Sequence, residues 1–381
     1  MIKNRIIIIP KIFFSGGTRQ YFINLLEYLH LKNMNPVIIL SKSHLDKEMS
    51  ELLKSYKFDN HTYNEYVSFE KILRKLGCYS PFRVLLNFKK FILAFYYYIK
   101  YRSEGFFFSE WNAVWDFTFL LLPGKKYFVV HSYPLRKIPG LIANFLNFYV
   151  KNNNIRIASV SNYSAKRIDT YWFNGKDNGI NIPNFSRFEN ISDESKAVYN
   201  ADNLIVLTAG HLVKYKNPDL WLKTAQKVIS RNPDKAIRFI WIGDGELLDY
   251  FKQFVNEKIS FIGNINEIGS YLSKGTVYFQ PSLLESQGMA VLEAMNYGLP
   301  CVVSDAGGLP ESVKDNYNGY VFSLDDDAEA VASKIETILF NEDIWRTFSV
   351  NGIRFYNEKF SKKKWSEEMD SFLGVKYDSA K

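Results

Sequence analysis

Cysteine is almost missing from the chain: among 381 residues only Cys78 and Cys301 occur, far apart and without metal-ligand spacing. That argues against a disulfide framework or a zinc module and suits a reducing compartment. Long apolar runs are missing as well. The longest, Phe91 to Ile99 and Phe117 to Leu122, fall far short of the roughly 20 residues a spanning helix needs. Ile6 to Ile9 is too short for the apolar core of a signal peptide, so it is expected to be a first strand. The glycine turn after it, Ser15-Gly16-Gly17-Thr18, lacks the GxGxxG of a dinucleotide site. No metal-ligand cluster stands out, and no repeat or low-complexity tract is visible. Acids are missing from residues 71–103, which hold eight Lys and Arg.

What is present describes a globular chain. Apolar residues make up 47% and charged residues 23%, and the length suffices for two α/β domains with cores of their own. The net charge of +8 is unevenly spread. Residues 1–190 hold 27 Lys+Arg against 13 Asp+Glu, a balance of +14, whereas residues 191–381 hold 21 against 27, a balance of −6. A basic first half suggests an anionic partner or surface.

The most informative stretch is VYFQPSLLESQGMAVLEAMNYGLPCVVSDAGGLPE, Val277 to Glu311. Val277 to Gln280 reads as a short buried strand that Pro281 ends. Met289 to Tyr297 has helical apolar spacing, with Ser286 or Gln287 as its expected cap. Gly298-Leu299-Pro300 stops that helix, and Cys301 to Val303 is a second strand. The layout puts a helix N-terminus beyond a strand's carboxyl end, where open α/β sheets bind ligands and where unpaired N–H groups favour phosphate. Glu285 and Glu293 flank the turn, up to roughly 12 Å apart. Carboxylates accept well from sugar hydroxyls and repel phosphate, so an amide-rich turn between two acids suits the diphosphate of an activated sugar.

These residues also carry a resemblance. Glu285-x7-Glu293 with Gly288, Gly298-x-Pro300 and Gly307-Gly308-x-x-Glu311 resembles the signature of retaining family-4 glycosyltransferases of GT-B fold. The resemblance implies an α/β protein of two Rossmann-like doubly wound domains facing a central cleft. Residues 1–187, with 361–381 as a helix packing back, are expected to form an N-terminal acceptor-binding domain. Residues 188–360 are expected to bind the nucleotide sugar. The linker is expected within Ser186 to Asp202.

Several further segments fit that family. Gly210 to Asn217 resembles its GRLxxxKG run: Lys216 keeps the lysine place, where a point charge neutralises a departing diphosphate. His211 stands where arginine is usual, and imidazole cannot grip two oxygens at once. Lys125 to Val130 reads as a strand delivering His131, which resembles the family's VVxxH context near the donor sugar; a histidine capping a turn is the plainer alternative. Ile155 to Asn162 resembles VSxxS. Ile180 to Asn184 resembles VIPNG, with Phe185 in place of the glycine. Asp325 to Asp327 precede a helical run and are expected to cap it rather than bind metal.

The family then implies roles. Glu293 is expected to bind ribose, Glu285 to orient the donor sugar, and the amides near Ser286, Gln287, Gly288 and Met289 to hold the diphosphate with Lys216 and His211. His131, Lys216 and Glu285 are the expected catalytic set. Gly16, Gly17, Gly243 and Gly263 are candidate donor contacts on glycine turns. The donor, a UDP- or GDP-sugar, is a substrate; no cofactor and no metal are expected. The expected acceptor is a glycan or polyprenyl-diphosphate-linked oligosaccharide of a bacterial-type surface polysaccharide. Residues 82–102 fit two readings, a helix on an anionic membrane surface or a core helix with a charged edge. Nucleic acid is not expected, since no reader motif accompanies the charge. The expected place is the cytoplasm, at the inner face of the membrane. Two alternatives stay open: a non-catalytic scaffold that binds nucleotide sugar or glycan, and an epimerase or hydrolase of the same fold.

Overall fold

A computed structural model describes residues 5–10, 17–64, 79–113, 116–176, 178–265 and 267–375, with the backbone alone for 79–87. The chain divides into two units, Met1–Ile182 with Glu368–Lys381, and Pro183–Glu367. The limits expected from sequence were 187/188 and 360/361.

In the first unit seven strands lie in the order β3-β2-β1-β4-β5-β6-β7, all parallel. They are β1 Ile6–Ile9, β2 Val37–Ser41, β3 Asp59–Tyr63, β4 Gly105–Phe108, β5 Lys125–Val130, β6 Ile155–Ser159 and β7 Gly179–Asn181. Runs such as IIII and GFFF are continuous rather than alternating because both faces of a parallel sheet are covered. The connecting helices are α1 Gly17–Leu31, α2 Lys47–Ser55, α3 Tyr79–Tyr101, α4 Gly140–Asn152 and α5 Asn162–Trp172. Phe106, Phe108, Trp111, Phe128 and Trp172 interlock in the core. Trp111 sits outside any helix, with its indole N–H bonded to the Asp116 carbonyl (3.2 Å). The end of the chain belongs to this unit: Asp370 accepts from the Tyr28 hydroxyl and the Lys32 ammonium, each at 2.7 Å.

The second unit repeats the plan with six parallel strands in the order β10-β9-β8-β11-β12-β13. They are β8 Leu204–Ala209, β9 Ile237–Ile242, β10 Ile259–Phe261, β11 Val277–Gln280, β12 Cys301–Ser304 and β13 Gly319–Phe322. The longer helices are α6 Pro218–Arg231, α7 Met289–Asn296, α8 Ala328–Leu339 and α9 Glu342–Lys359, and α10 Lys362–Leu373 closes the described chain. Asp327 caps α8 by accepting from the Ala330 N–H (2.9 Å), as its place before a helical run predicted. In each sheet the strand order reverses once, at β1/β4 and at β8/β11, and a reversal opens a crevice beyond the strand ends.

Candidate active site

The crevice at β8/β11 is built by buried polar side chains beneath it. Trp221 donates to Thr208 Oγ1 (2.7 Å), and Trp241 donates to the Gly210 carbonyl (3.0 Å), which holds the start of the loop after β8. The Tyr278 hydroxyl accepts from the Ala209 N–H (3.1 Å) and donates to Gln280 Oε1 (2.8 Å). Leu283 N–H donates to the Tyr215 carbonyl (2.8 Å), so the loops after β8 and β11 are tied edge to edge. Backbone amides can act on a ligand without first reorganising only where the loops that carry them are already held in place.

The turn between Glu285 and α7 departs from the sequence expectation in one respect. Gly288 is the cap, at φ 90°, and neither Ser286 nor Gln287 caps the helix. The left-handed backbone at Gly288 explains why glycine stands there. Gln287 is buried and turned to other work: its Oε1 accepts from Asn184 N–H (2.9 Å) and its Nε2 donates to the Asn184 carbonyl (3.3 Å). Ser286 and Met289 are half-buried beside it. The first N–H groups of α7 have no intrahelical acceptor, as at any helix start. Gly307 closes the turn from the side: a Cβ there would lie 1.8 Å from the Glu285 carbonyl oxygen, which also accepts from Gly308 N–H (3.1 Å).

Each of the two acids holds a cation. Lys216 forms an ion pair with Glu285, both largely sheltered. Glu293 is only 3% exposed and takes both prongs of the Arg187 guanidinium, Nε to Oε1 at 2.7 Å and Nη2 to Oε2 at 3.1 Å. The forked geometry makes this a strong charge-assisted pair. Sequence reading missed Arg187, placed in the linker stretch and 106 residues from its partner. Only the position after the INIPN run hinted at a site residue.

The remaining candidates lie on other loops of the two units. His211 and Lys214 are exposed on the loop that carries Lys216. Gly243 and Gly263 meet each other beyond β9 and β10, Gly243 N–H donating to the Gly263 carbonyl (2.8 Å). In the first unit Gly17 begins α1, and Gly16 lies outside the described residues. His131 follows β5, with its ring edge-on to Tyr21 of α1 (centroids 4.2 Å). Its Nε2 is shielded from water and has no hydrogen-bond partner among the described residues. Burial pushes the imidazole down to about 3, so it is neutral near pH 7. Glu110, also not singled out from sequence, accepts from His131 N–H (3.2 Å) and the Ser132 hydroxyl (3.1 Å), which pins the turn. Among the described residues no group of three or more His, Cys, Asp or Glu could hold a metal ion.

Comparison with known proteins bears on the second unit as a whole. Residues 191–355 match the family model described as Glycosyl transferases group 1. The second unit is therefore similar to group 1 glycosyltransferases over most of its length. The chain is 30% identical over 159 residues to a UDP-Gal:alpha-D-GlcNAc-diphosphoundecaprenol alpha-1,3-galactosyltransferase of Escherichia coli, covering 39% of this chain and 41% of that protein. It is 23% identical over 258 residues to the capsular polysaccharide biosynthesis glycosyltransferase CapM of Staphylococcus aureus, covering 66% of each. These alignments thus span between about two fifths and two thirds of the relatives' own length. In structure the chain is similar to a glycosyltransferase from Rickettsia africae ESF-5, with TM-score 0.76, 16% identity, and 98% and 100% of the two chains covered. The fold is GT-B: two parallel-sheet Rossmann-like domains, of which the second carries Lys216, Glu285 and Glu293.

Proposed function

We infer that the chain is a retaining, metal-independent hexosyltransferase that moves a sugar from a UDP- or GDP-sugar to a glycan or polyprenyl-diphosphate-linked acceptor in surface polysaccharide synthesis. The observation that carries this reading is the Lys216–Glu285 pair at the mouth of the β8/β11 crevice, beside the N-terminus of α7. The activity of the Escherichia coli relative supports the UDP-sugar and lipid-linked acceptor classes, and that of CapM supports surface polysaccharide synthesis.

On this reading the diphosphate lies over the turn Ser286-Gln287-Gly288-Met289, where helix-start N–H groups and the Lys216 ammonium meet its growing negative charge as the glycosidic bond to phosphate breaks. Glu285 accepts from a hydroxyl of the donor sugar and keeps Lys216 aimed. Glu293 accepts from the ribose hydroxyls, which must share or displace the Arg187 prongs. The neutral His131 donates to a donor-sugar hydroxyl, a role a charged imidazolium would fill less selectively. His211 and the turns at Gly17, Gly243 and Gly263 line the approach to the donor. No cofactor takes part, and chelators leave the rate unchanged. The proposed place is the cytoplasmic face of the membrane. Among the described residues no helix is long and apolar enough to cross it, and residues 82–102 make peripheral contact.

The test is transfer from a panel of UDP- and GDP-sugars, with the anomeric configuration of the product read by NMR. Retention with UDP- or GDP-sugar supports the reading; donor turnover without any acceptor product, or inversion, overturns it.

A further inference from the structure

One helix of the first unit is apolar on both sides. Along α4, Ala143, Leu146 and Val150 face the core. Leu141, Phe145 and Phe148, at i, i+4 and i+7, are 87%, 63% and 66% exposed, and Ile142 beside them is exposed as well. A surface helix ordinarily shows water its polar residues, so an outward row of this size marks a contact surface.

The row continues onto neighbouring elements. The 3-10 turn Phe117–Leu121 carries exposed Phe117 and Leu121, and the Tyr149 hydroxyl of α4 donates to the Leu120 carbonyl (3.2 Å). That turn packs in its other direction on α3, where Phe88, Ile92, Tyr96 and Ile99 are exposed. Strands β4, β5 and β6 are adjacent and parallel, and right-handed crossovers put their connections on one face of the sheet. The apolar side chains therefore share a side of the first unit.

Charge identifies the occupant. From residue 117 to residue 168 the chain holds eight Lys and Arg and no acid. Arg136, Lys137 and Lys151 are exposed at the two ends of α4. The acids that bound the run turn inward: Asp116 accepts from Asn112 N–H (3.0 Å), and Asp169 from the N–H groups of Asn178 and Gly179 (2.9 and 3.1 Å). A second copy of the chain in a two-fold contact would set basic residues against basic residues. Nucleic acid would meet Leu, Ile and Phe tips that cannot hydrogen-bond to it. A surface with anions in a shallow layer and hydrocarbon just beneath satisfies both features.

We propose that α4 with the Phe117–Leu121 turn is the docking surface of this protein for an anionic phospholipid bilayer, with Leu141, Phe145 and Phe148 entering the acyl boundary. Arg136, Lys137 and Lys151 lie at the head groups, and the exposed side of α3 forms the margin of the surface. This deepens the transferase reading by naming the face to which a lipid-linked acceptor is delivered, and it rests on that reading for the acceptor alone.

Flotation of the full chain with phosphatidylcholine vesicles, with and without phosphatidylglycerol, tests it. The native chain floats with the anionic vesicles and loses binding steeply as salt rises. Leu141→Ser with Phe145→Ser lowers the vesicle partition by roughly tenfold or more, from the apolar area withdrawn. Arg136→Ala with Lys137→Ala flattens the salt dependence. Both variants change exposed side chains, and unaltered thermal unfolding checks that they fold. Equal flotation of native chain and Leu141→Ser/Phe145→Ser, or none by the native chain, overturns the proposal. So does a native dimer or an RNA complex that this double substitution abolishes while vesicle binding is absent. Donor turnover in vesicle-free solution, measured in parallel, separates the two readings. Turnover without flotation sinks the docking surface alone, and flotation without turnover sinks the transferase alone.

Discussion

The two units share a parallel, doubly wound plan and use it in opposite ways. Around the β8/β11 crevice the second unit keeps its charges in matched pairs, Lys216 with Glu285 and Arg187 with Glu293. The first unit keeps a neutral, shielded imidazole at the end of β5 and carries a long acid-free run through its outer helices. Paired charges suit a ligand that is itself charged and must be gripped and released. A surplus of one sign suits a broad surface that no single partner neutralises.

The largest expected effect comes from breaking a pair on the chemical side. Glu285→Gln or Lys216→Ala should lower kcat/KM by roughly 10² or more, as for the loss of one charge-stabilising group. Steady-state transfer assays check it, and a full-rate variant would place the reaction elsewhere. Next in size is stability. Arg187→Met leaves the Glu293 carboxylate buried without its fork and should cost on the order of 2–4 kcal/mol, less than a fully buried pair because Arg187 is partly exposed. Adding Glu293→Gln should recover part of that in denaturant titrations, since a buried neutral amide needs no counter-charge.

Gly307→Ala should be intermediate. Its Cβ would collide with the Glu285 carbonyl, and φ there is 60°, so the loss should reach about 1–3 kcal/mol with a displaced Glu285 loop. Chemical denaturation and donor KM read the two parts separately. The smallest effect at neutral pH is at His131, where a change shows only in acid and isolates the first unit. His131 titrates near 3 in the folded chain and near 6.5 when unfolded, so the unfolded state binds the extra proton between those values. Its contribution is constant above about pH 6.5 and is lost as pH falls toward 3, by at most about 1.4 kcal/mol per pH unit. His131→Asn should flatten that limb of the stability profile.

Much of the second unit is legible in the amino-acid sequence alone. The strand from Val277 to Gln280, the helix from Met289 and the acids on either side follow from short apolar runs, Pro281 and a cluster of glycines, all local signals. What escaped was non-local or lacked a period. Arg187 reaches its partner across the fold, and nothing in its own neighbourhood announces the fork. The cap at Gly288 escaped because the Gln287 amide has a competing partner: it satisfies Asn184 instead of α7. Helix α4 is apolar inside and out, so it shows no contrast between faces for periodicity to detect. In the basic stretch, α3 has the length and charge expected of a surface helix, yet its outer apolar row is bordered by a second one on α4 that charge counting alone did not pick out.

Gln287 has one more consequence. A side-chain amide that both accepts from and donates to the peptide group of Asn184 copies the pairing of one β residue, using a lone side chain in place of a strand. The turn before α7 and the segment that opens the second unit are thereby spliced into a single mechanical piece. Swapping that amide for a carboxylate would set oxygen against oxygen at the Asn184 carbonyl, and the fault would be felt at Gly288 without any atom of the turn's backbone having been altered.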